Sequence, residues 1–224
     1  MNSDKVMLRE NIETLQSSPS IYLKVKRVFD LLIGLFGIFL ILPLAFIIKA
    51  ISIYNRDYNS IFFKQQRIGK DGKLFWMYKF RTMVPNADEV LETLLKNNAS
   101  FREEYMVNKK VKNDPRITKL GKILRKTSLD EMPQFINVFL GQMSLVGNRP
   151  YLPREKEDMG IYFNQIVKTK PGITGLWQIS GRNNVTFNER VQIESKYSYL
   201  QNARTDMKII KDTIVQVVKK DGAM

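Results

Sequence analysis

The chain has 224 residues, 44% of them hydrophobic, so it has enough apolar side chains for a folded core and intrinsic disorder is excluded. It carries no Cys and no His, which excludes a disulfide framework, a thiolate nucleophile and the commonest general base. A net charge of +14 points toward anionic partners: lipid head groups, phosphorylated substrates or nucleic acid.

Residues 1–20 are polar and broken by Ser17-Ser18-Pro19-Ser20, which reads as a loosely docked leader. From Leu31 to Ile48 runs LLIGLFGIFLILPLAFII, uncharged and close to the minimum length for a bilayer-spanning helix. Its flanks are both basic, with Lys24, Lys26 and Arg27 before it and Lys49, Arg56, Lys64 and Arg67 after it. A spanning helix shows basic asymmetry instead. Pro43 removes the hydrogen bond to the Phe39 carbonyl and invites a kink. Two readings therefore fit: a tilted, kinked span, or a helix that enters the membrane, bends at Leu42-Pro43 and leaves on the same face. Asp30 stands three residues after Arg27, at helical pairing distance.

Residues 61–83 predict a hairpin, with two aromatic-rich arms around Gly69-Lys70-Asp71-Gly72. Lys79 and Arg81 are two apart and share a face of its second arm, as a phosphate-binding ribbon or a solvated edge would have them. A charged helix follows from Ala87 to Tyr105, and Asp114-Pro115-Arg116-Ile117 marks a turn.

The chemistry concentrates in Arg125-Lys126-Thr127-Ser128-Leu129-Asp130-Glu131-Met132-Pro133-Gln134. Adjacent carboxylates follow two cations, and Pro133 predicts a helix starting near Ser128 to Asp130. The carboxylates would then sit at its positive end. Ser128-x-x-Glu131 also spells a capping box, an ordinary structural device compatible with a site. Gly141 is placed to end that helix. Prolines stiffen the loop carrying Arg149 and Arg154, side chains whose planar fork suits phosphate. Lys170-Pro171-Gly172-Ile173-Thr174-Gly175-Leu176-Trp177-Gln178-Ile179-Ser180-Gly181-Arg182 is glycine-rich and suited to close backbone approach to a ligand. Helices are expected from Thr186 to Leu200 and from Thr205 to Lys219. The latter puts Met207, Ile210, Ile214, Val217 and Val218 on one face, for a core or a membrane surface.

In order along the chain, Lys26-Arg27-x-Phe29-Asp30, Phe62-Phe63-Lys64-Gln65-Gln66-Arg67-Ile68-Gly69 and Tyr78-Lys79-Phe80-Arg81-Thr82-Met83 precede the carboxylate stretch. Met143-Ser144-Leu145-Val146-Gly147-Asn148-Arg149-Pro150 and Lys170 to Gln178 follow it. Over residues 24–218 this set closely resembles the bacterial sugar transferases, small monotopic phosphoglycosyl transferases. The resemblance implies transfer of hexose-1-phosphate, galactose or glucose, from a UDP-sugar to undecaprenyl phosphate with release of UMP, opening capsule, exopolysaccharide or related glycan assembly. It implies Asp130 as a nucleophile forming an aspartyl-phosphosugar, and Glu131, with Asp130, as ligands of Mg²⁺. Arg149, Arg125, Lys79 and Arg81 become phosphate-binding residues and Asp206 an acid near the site. It also favours the re-entrant reading of the apolar run.

The fold expected is mainly α with a small β-hairpin: a monotopic membrane protein at the cytoplasmic face of a bacterial cell membrane. Its divisions are a leader (1–23), a re-entrant helix broken at Pro43 (24–54) and a cytoplasmic catalytic domain with amphipathic surface helices (55–224). Membrane lipids are expected partners, nucleic acid is not, and a homodimer is compatible. Where the family often has Pro-Arg-Pro, this chain has Asn148-Arg149-Pro150. With only a short polar leader before Lys24, a core-only form is the expectation. A rival reading is a non-enzymatic, membrane-anchored basic module, to which Asp130 would not matter.

Overall fold

The computed structural model describes residues 19–108, 111, 113–180 and 185–219. Most of the expected leader, and Gly181-Arg182, lie outside these. The architecture is mainly helical with a small hairpin, as expected.

Helix α1, Pro19–Tyr54, has 36 residues and so measures about 54 Å. Its buried positions are Asp30, Gly34, Gly37, Ile41, Ile48 and Ser52, steps of three, four or seven that trace one stripe. Phe29, Leu32, Phe36, Phe39 and Phe46 occupy the opposite, exposed side. The stripe packs on the rest of the chain along the helix. Ile41 and Ile48 join Ile61, Phe80 and Leu124 in one core cluster. Gly34 and Gly37 admit the backbone of Phe139 and the ring of Phe135, where a Cβ would stand 3.0 Å and 2.3 Å from them. The expected break at Pro43 is corrected: the helix runs through it to Tyr54. Proline removes one backbone bond, and the core contacts of Ile41, Leu44, Ala45 and Ile48 hold both sides of the gap.

The expected Arg27–Asp30 pair is also replaced, by tertiary contacts. Arg27 donates to the carbonyls of Val138 (2.7 Å) and Phe139 (2.8 Å), closing the end of the helix Gln134–Phe139. Asp30, 3% exposed, accepts from Ser144 Oγ (3.1 Å) and the Leu145 amide (2.8 Å). Lys26 donates to the Val146 carbonyl at 2.9 Å and pairs with Asp206.

Strands β1 (Phe62–Ile68) and β2 (Leu74–Phe80) form the hairpin, paired from Phe62↔Phe80 to Ile68↔Leu74. Arg67, Phe75 and Met77 are buried on its inner face, with Lys79 beside them. Helices α2 (Ala87–Asn97) and α3 (Ala99–Asn108) follow, then α4 (Lys119–Lys126) and α5 (Gln134–Phe139). Asn137 on α5 is fully buried and takes over the ladder along β2: it donates to the Trp76 carbonyl (2.7 Å) and accepts from the Tyr78 amide (3.0 Å). Gly141, at φ +80°, ends α5 as expected.

Strands β3 (Ser144–Val146) and β4 (Gly172–Thr174) form a short parallel ladder absent from the sequence reading. Its glycines are there for chain-to-chain approach. A Cβ on Gly147 would stand 2.2 Å from the Lys170 carbonyl oxygen, and one on Gly172 2.1 Å from the Gly147 nitrogen. Gly172 and Gly175 of the glycine-rich stretch thus make their close approach to the backbone of Gly147. Gly147→Ala should cost roughly 1–3 kcal/mol, read as a drop of about 2–4 °C in Tm per kcal/mol at this chain length.

Helices α6 (Phe163–Ile166), α7 (Leu176–Ile179), α8 (Phe187–Leu200) and α9 (Ala203–Lys219) complete the chain. A Thr186/Glu189 capping box starts α8. On α9, Asp206 and Ile209 are buried, while Met207 and Ile214 face outward.

Candidate active site

Between α4 and α5 the chain makes a tight reversal. Ser128 sits at φ 57°, ψ 15°, a left-handed conformation uncommon outside glycine, and Leu129–Glu131 form a single 3-10 turn. The expected capping box does not form, because left-handed Ser128 makes no side-chain cap bond. The regular helix starts only at Gln134, so the carboxylates precede it rather than occupying its first turn. Leu129 and Met132, on either side of the pair, pack against the cluster containing Ile41 and Ile48. The turn is therefore fixed to α1 by its apolar members, and its polar members point elsewhere.

Asp130 is 8% exposed. Burial holds its carboxyl above the usual range, with the like charge of Glu131 adding to the rise and Lys79 and Arg125 opposing it. Lys79, reaching in from β2, places Nζ 2.7 Å from Glu131 Oε1 and 3.8 Å from Asp130 Oδ2. Arg125 donates from Nε to Thr82 Oγ1 at 3.0 Å, and its charge is felt at Asp130.

The other expected site residues divide. Arg149 lies on the loop after β3, over the Trp177 ring at 5.8 Å. Arg81 lies beyond the end of β2, committed to Asp57 (2.7 Å) and to the carbonyls of Ser60 (2.7 Å) and Met83 (3.2 Å). It ties the hairpin to the exit of α1. Asp206 accepts from Tyr22 (2.6 Å), Tyr197 (2.7 Å) and Lys26, so both its oxygens are occupied in a network joining α1, α8 and α9.

Sequence reasoning missed Arg67, Arg190 and Glu194. Arg67 feels both Arg149 and Glu131, and the hairpin register puts it on the inner face with Phe75. Strand parity was the available signal. For Arg190 and Glu194 it was their i, i+4 spacing on a predicted helix.

Among the described residues no three His, Cys, Asp or Glu side chains cluster as a metal cage. Asp130 and Glu131 nevertheless fit Mg²⁺, which takes oxygen ligands and is commonly held by one or two carboxylates plus phosphate oxygens. The Glu131 side chain is 38% exposed, and the Lys79 ammonium already rests against the pair, marking where positive charge is favoured.

Among known proteins, the chain is 43% identical over 225 residues to the UDP-galactose-lipid carrier transferase of Erwinia amylovora, covering 99% of this chain. It is 42% identical over 221 residues to the undecaprenyl-phosphate galactose phosphotransferase of Salmonella typhimurium, again covering 99% of this chain. It spans about half the length of these relatives, 46% of each. The exopolysaccharide production protein ExoY of Sinorhizobium fredii is 39% identical over 198 residues, 88% of this chain and 87% of that protein. Residues 21–220 match the model of one family throughout, and the carboxylate turn, hairpin and apolar helix lie within that match. The chain belongs to the bacterial sugar transferase family.

Proposed function

We propose that the chain is a membrane-bound phosphoglycosyl transferase. It moves hexose-1-phosphate, galactose or glucose, from a UDP-sugar to undecaprenyl phosphate and releases UMP, as the first step of capsule, exopolysaccharide or related glycan assembly. The observation that carries the reading is the buried Asp130 carboxylate, held on a left-handed reversal beside Glu131 and Lys79. The relatives' names supply the substrate classes, galactose in two cases and glucose in the Klebsiella pneumoniae relative, 35% identical over 199 residues.

An Asp130 oxygen attacks the phosphorus that bears the sugar. The bond from that phosphorus to the bridging oxygen breaks, and UMP departs with the electron pair. A phosphate oxygen of the lipid then attacks the same phosphorus, the aspartyl–phosphorus bond breaks, and the carboxylate is regenerated. No net proton is needed. Lys79 and Arg125 steady the charge on the attacking side, and burial keeps water from intercepting the acyl phosphate. Mg²⁺ held by Glu131 and Asp130 would supply charge neutralisation at the phosphoryl oxygens.

The exposed apolar side of α1 is the part suited to lipid. We read α1 as lying along the cytoplasmic leaflet, its exposed apolar side toward lipid and both ends at the cytoplasmic face. Support comes from its contacts, which run from Tyr22 to Ile48 against one domain. A straight span would draw that domain, and Asp130 with it, into hydrocarbon.

The test supplies sugar-labelled UDP-galactose or UDP-glucose with undecaprenyl phosphate and Mg²⁺ to the chain in lipid nanodiscs. Label should enter the organic phase in step with UMP release. Label released into water as sugar phosphate, or no turnover with any UDP-sugar, would overturn the reading.

A further inference from the structure

After β3 the chain passes through Gly147-Asn148-Arg149-Pro150-Tyr151, and the residues on either side of Arg149 are tied to different parts of the fold. Beyond it, the Pro150 carbonyl accepts from Arg67 Nη1 at 3.0 Å and the Tyr151 carbonyl from the Ile68 amide at 2.8 Å, both on β1. The Tyr151 ring is buried edge-on to Phe187. Before it, the Gly147 amide donates to the Thr174 carbonyl at 2.9 Å, and the Asn148 carbonyl accepts from the Gly172 amide at 2.8 Å. Arg149 is thus slung between the hairpin and the β3–β4 ladder, with its guanidinium over the Trp177 ring and the buried Glu194 facing it.

Asn148 adds a tie through its side chain. It is 2% exposed, and its Nδ2 donates to the Ile166 carbonyl (3.1 Å) and to Thr169 Oγ1 (3.3 Å), at the end of α6 and just after it. Ile166 belongs with Ile68 and Tyr151 to one core cluster, so the tie ends on a packed body. A carbonyl only accepts, which fixes the amide with its NH2 group toward Ile166. Asn148 Oδ1 is buried and has no partner among the described residues. A buried amide with an unpaired oxygen costs stability that an apolar side chain filling the same space would not. What the position gains from asparagine is therefore its NH2 end, the part a hydrocarbon lacks.

We propose that Asn148 is a positioning residue for sugar-phosphate transfer: its side-chain NH2 group straps the loop to the end of α6 and so holds Arg149 in the placement from which it serves the substrate. The strap follows from the contacts. Only the use made of Arg149, as a group that meets substrate, rests on the transferase reading.

The need for a strap lies in the backbone around it. Pro150 already bars Arg149 from the helical region. On the other side stands Gly147, the residue type with the widest choice of φ and ψ, and it must be glycine because the Lys170 carbonyl lies where its Cβ would be. Freedom therefore enters the loop from Gly147, one residue before Asn148. A proline at 148 would remove that freedom by its ring, and the family often has one there; this chain removes it with two side-chain hydrogen bonds. A misplacement of about 1 Å in a group that positions substrate is enough to slow a reaction severely.

The test compares Asn148→Ala and Asn148→Pro with the parent chain in lipid nanodiscs, by transfer kinetics well below the Tm and by hydrogen exchange across residues 146–152. Asn148→Ala should speed exchange of the loop amides and lower kcat/KM by roughly 10-fold, the worth of about one net hydrogen bond. Asn148→Pro makes neither side-chain bond, yet it restricts the same stretch of backbone and should bring both readouts most of the way back to the parent. A residue with a merely structural role would lower the Tm in Asn148→Ala, leave kcat/KM unchanged at the assay temperature and gain nothing from proline. That result, or faster loop exchange with unchanged kinetics, or slower kinetics with unchanged exchange, would overturn the proposal. If Asn148→Pro fails to fold, the paired change in exchange and kcat/KM of Asn148→Ala decides alone. If the parent turns over no UDP-sugar, the transferase reading fails and the strap is judged by exchange: faster in Asn148→Ala, it stands; unchanged, it falls.

Discussion

Replacing Asp130 by Asn should abolish sugar-phosphate transfer, by roughly 10⁴-fold or more as for other lost members of a reacting group, while making the folded chain more stable at neutral pH. The loss of turnover follows because an amide cannot form the acyl phosphate. The gain follows from burial. Asp130 is 8% exposed, and burial is the largest influence on its carboxyl, raising it above the unfolded value despite Lys79 and Arg125. A carboxyl raised in the folded state ionises first in the unfolded chain. Folding therefore loses stability as pH rises through the folded value. Asn carries no such cost. The difference in Tm between variant and parent should be small in acid and grow toward neutrality, measured by thermal unfolding of both proteins from about pH 3.5 to 7.5. A variant that keeps turning over would demote the carboxylate turn to a structural device. A variant less stable than the parent at neutral pH would mean that the cations outweigh burial at Asp130. The same trade, function kept at the expense of stability, is common at sites that hold a charge away from water.

Asp206→Ala should be the most destabilising single change in the network that ties α1 to the rest of the fold. The substitution removes the acceptor of Lys26, Tyr22 and Tyr197 together. Both ends of the ion pair are largely buried, with side chains 11% and 9% exposed. Breaking a buried pair from one side strands the other charge and costs about 3–5 kcal/mol. Thermal unfolding in detergent should register that as a large drop in Tm. Adding Lys26→Met should recover part of the loss, since an apolar pair avoids the stranded ammonium. The milder Asp206→Asn separates this role from substrate binding. Well below its Tm it should show unchanged KM for both substrates, whereas a substrate-binding Asp206 would show a raised KM.

How much of this was open to sequence reading depended on the range of the interaction. The hairpin around Gly69 to Gly72, the end of α5 at Gly141 and the helix from Thr186 are set by turn and capping chemistry within a few residues, and local composition determined them. Asp130, Glu131 and Lys79 were legible as candidates for the same reason: charge of both signs stands out in a chain without His or Cys. Only the tertiary structure decided which charges meet. Arg81 and Lys79 looked equivalent from their spacing, yet the strand ends at Phe80 and Arg81 turns to Asp57. Asp206 stood out only as an acid at a helix start, and the fold supplied its partners Tyr22, Lys26 and Tyr197. The same holds for the reversal at Ser128 and for Pro43 inside an unbroken helix. In both, a local preference for a cap or a break was overridden by packing in the cluster around Ile41 and Ile48, whose members come from segments as far apart in the chain as Ile41 and Ile136. Spacing could pair Arg190 with Glu194 on one helix, but their burial beside Arg149 and Tyr151 is a property of the folded interior.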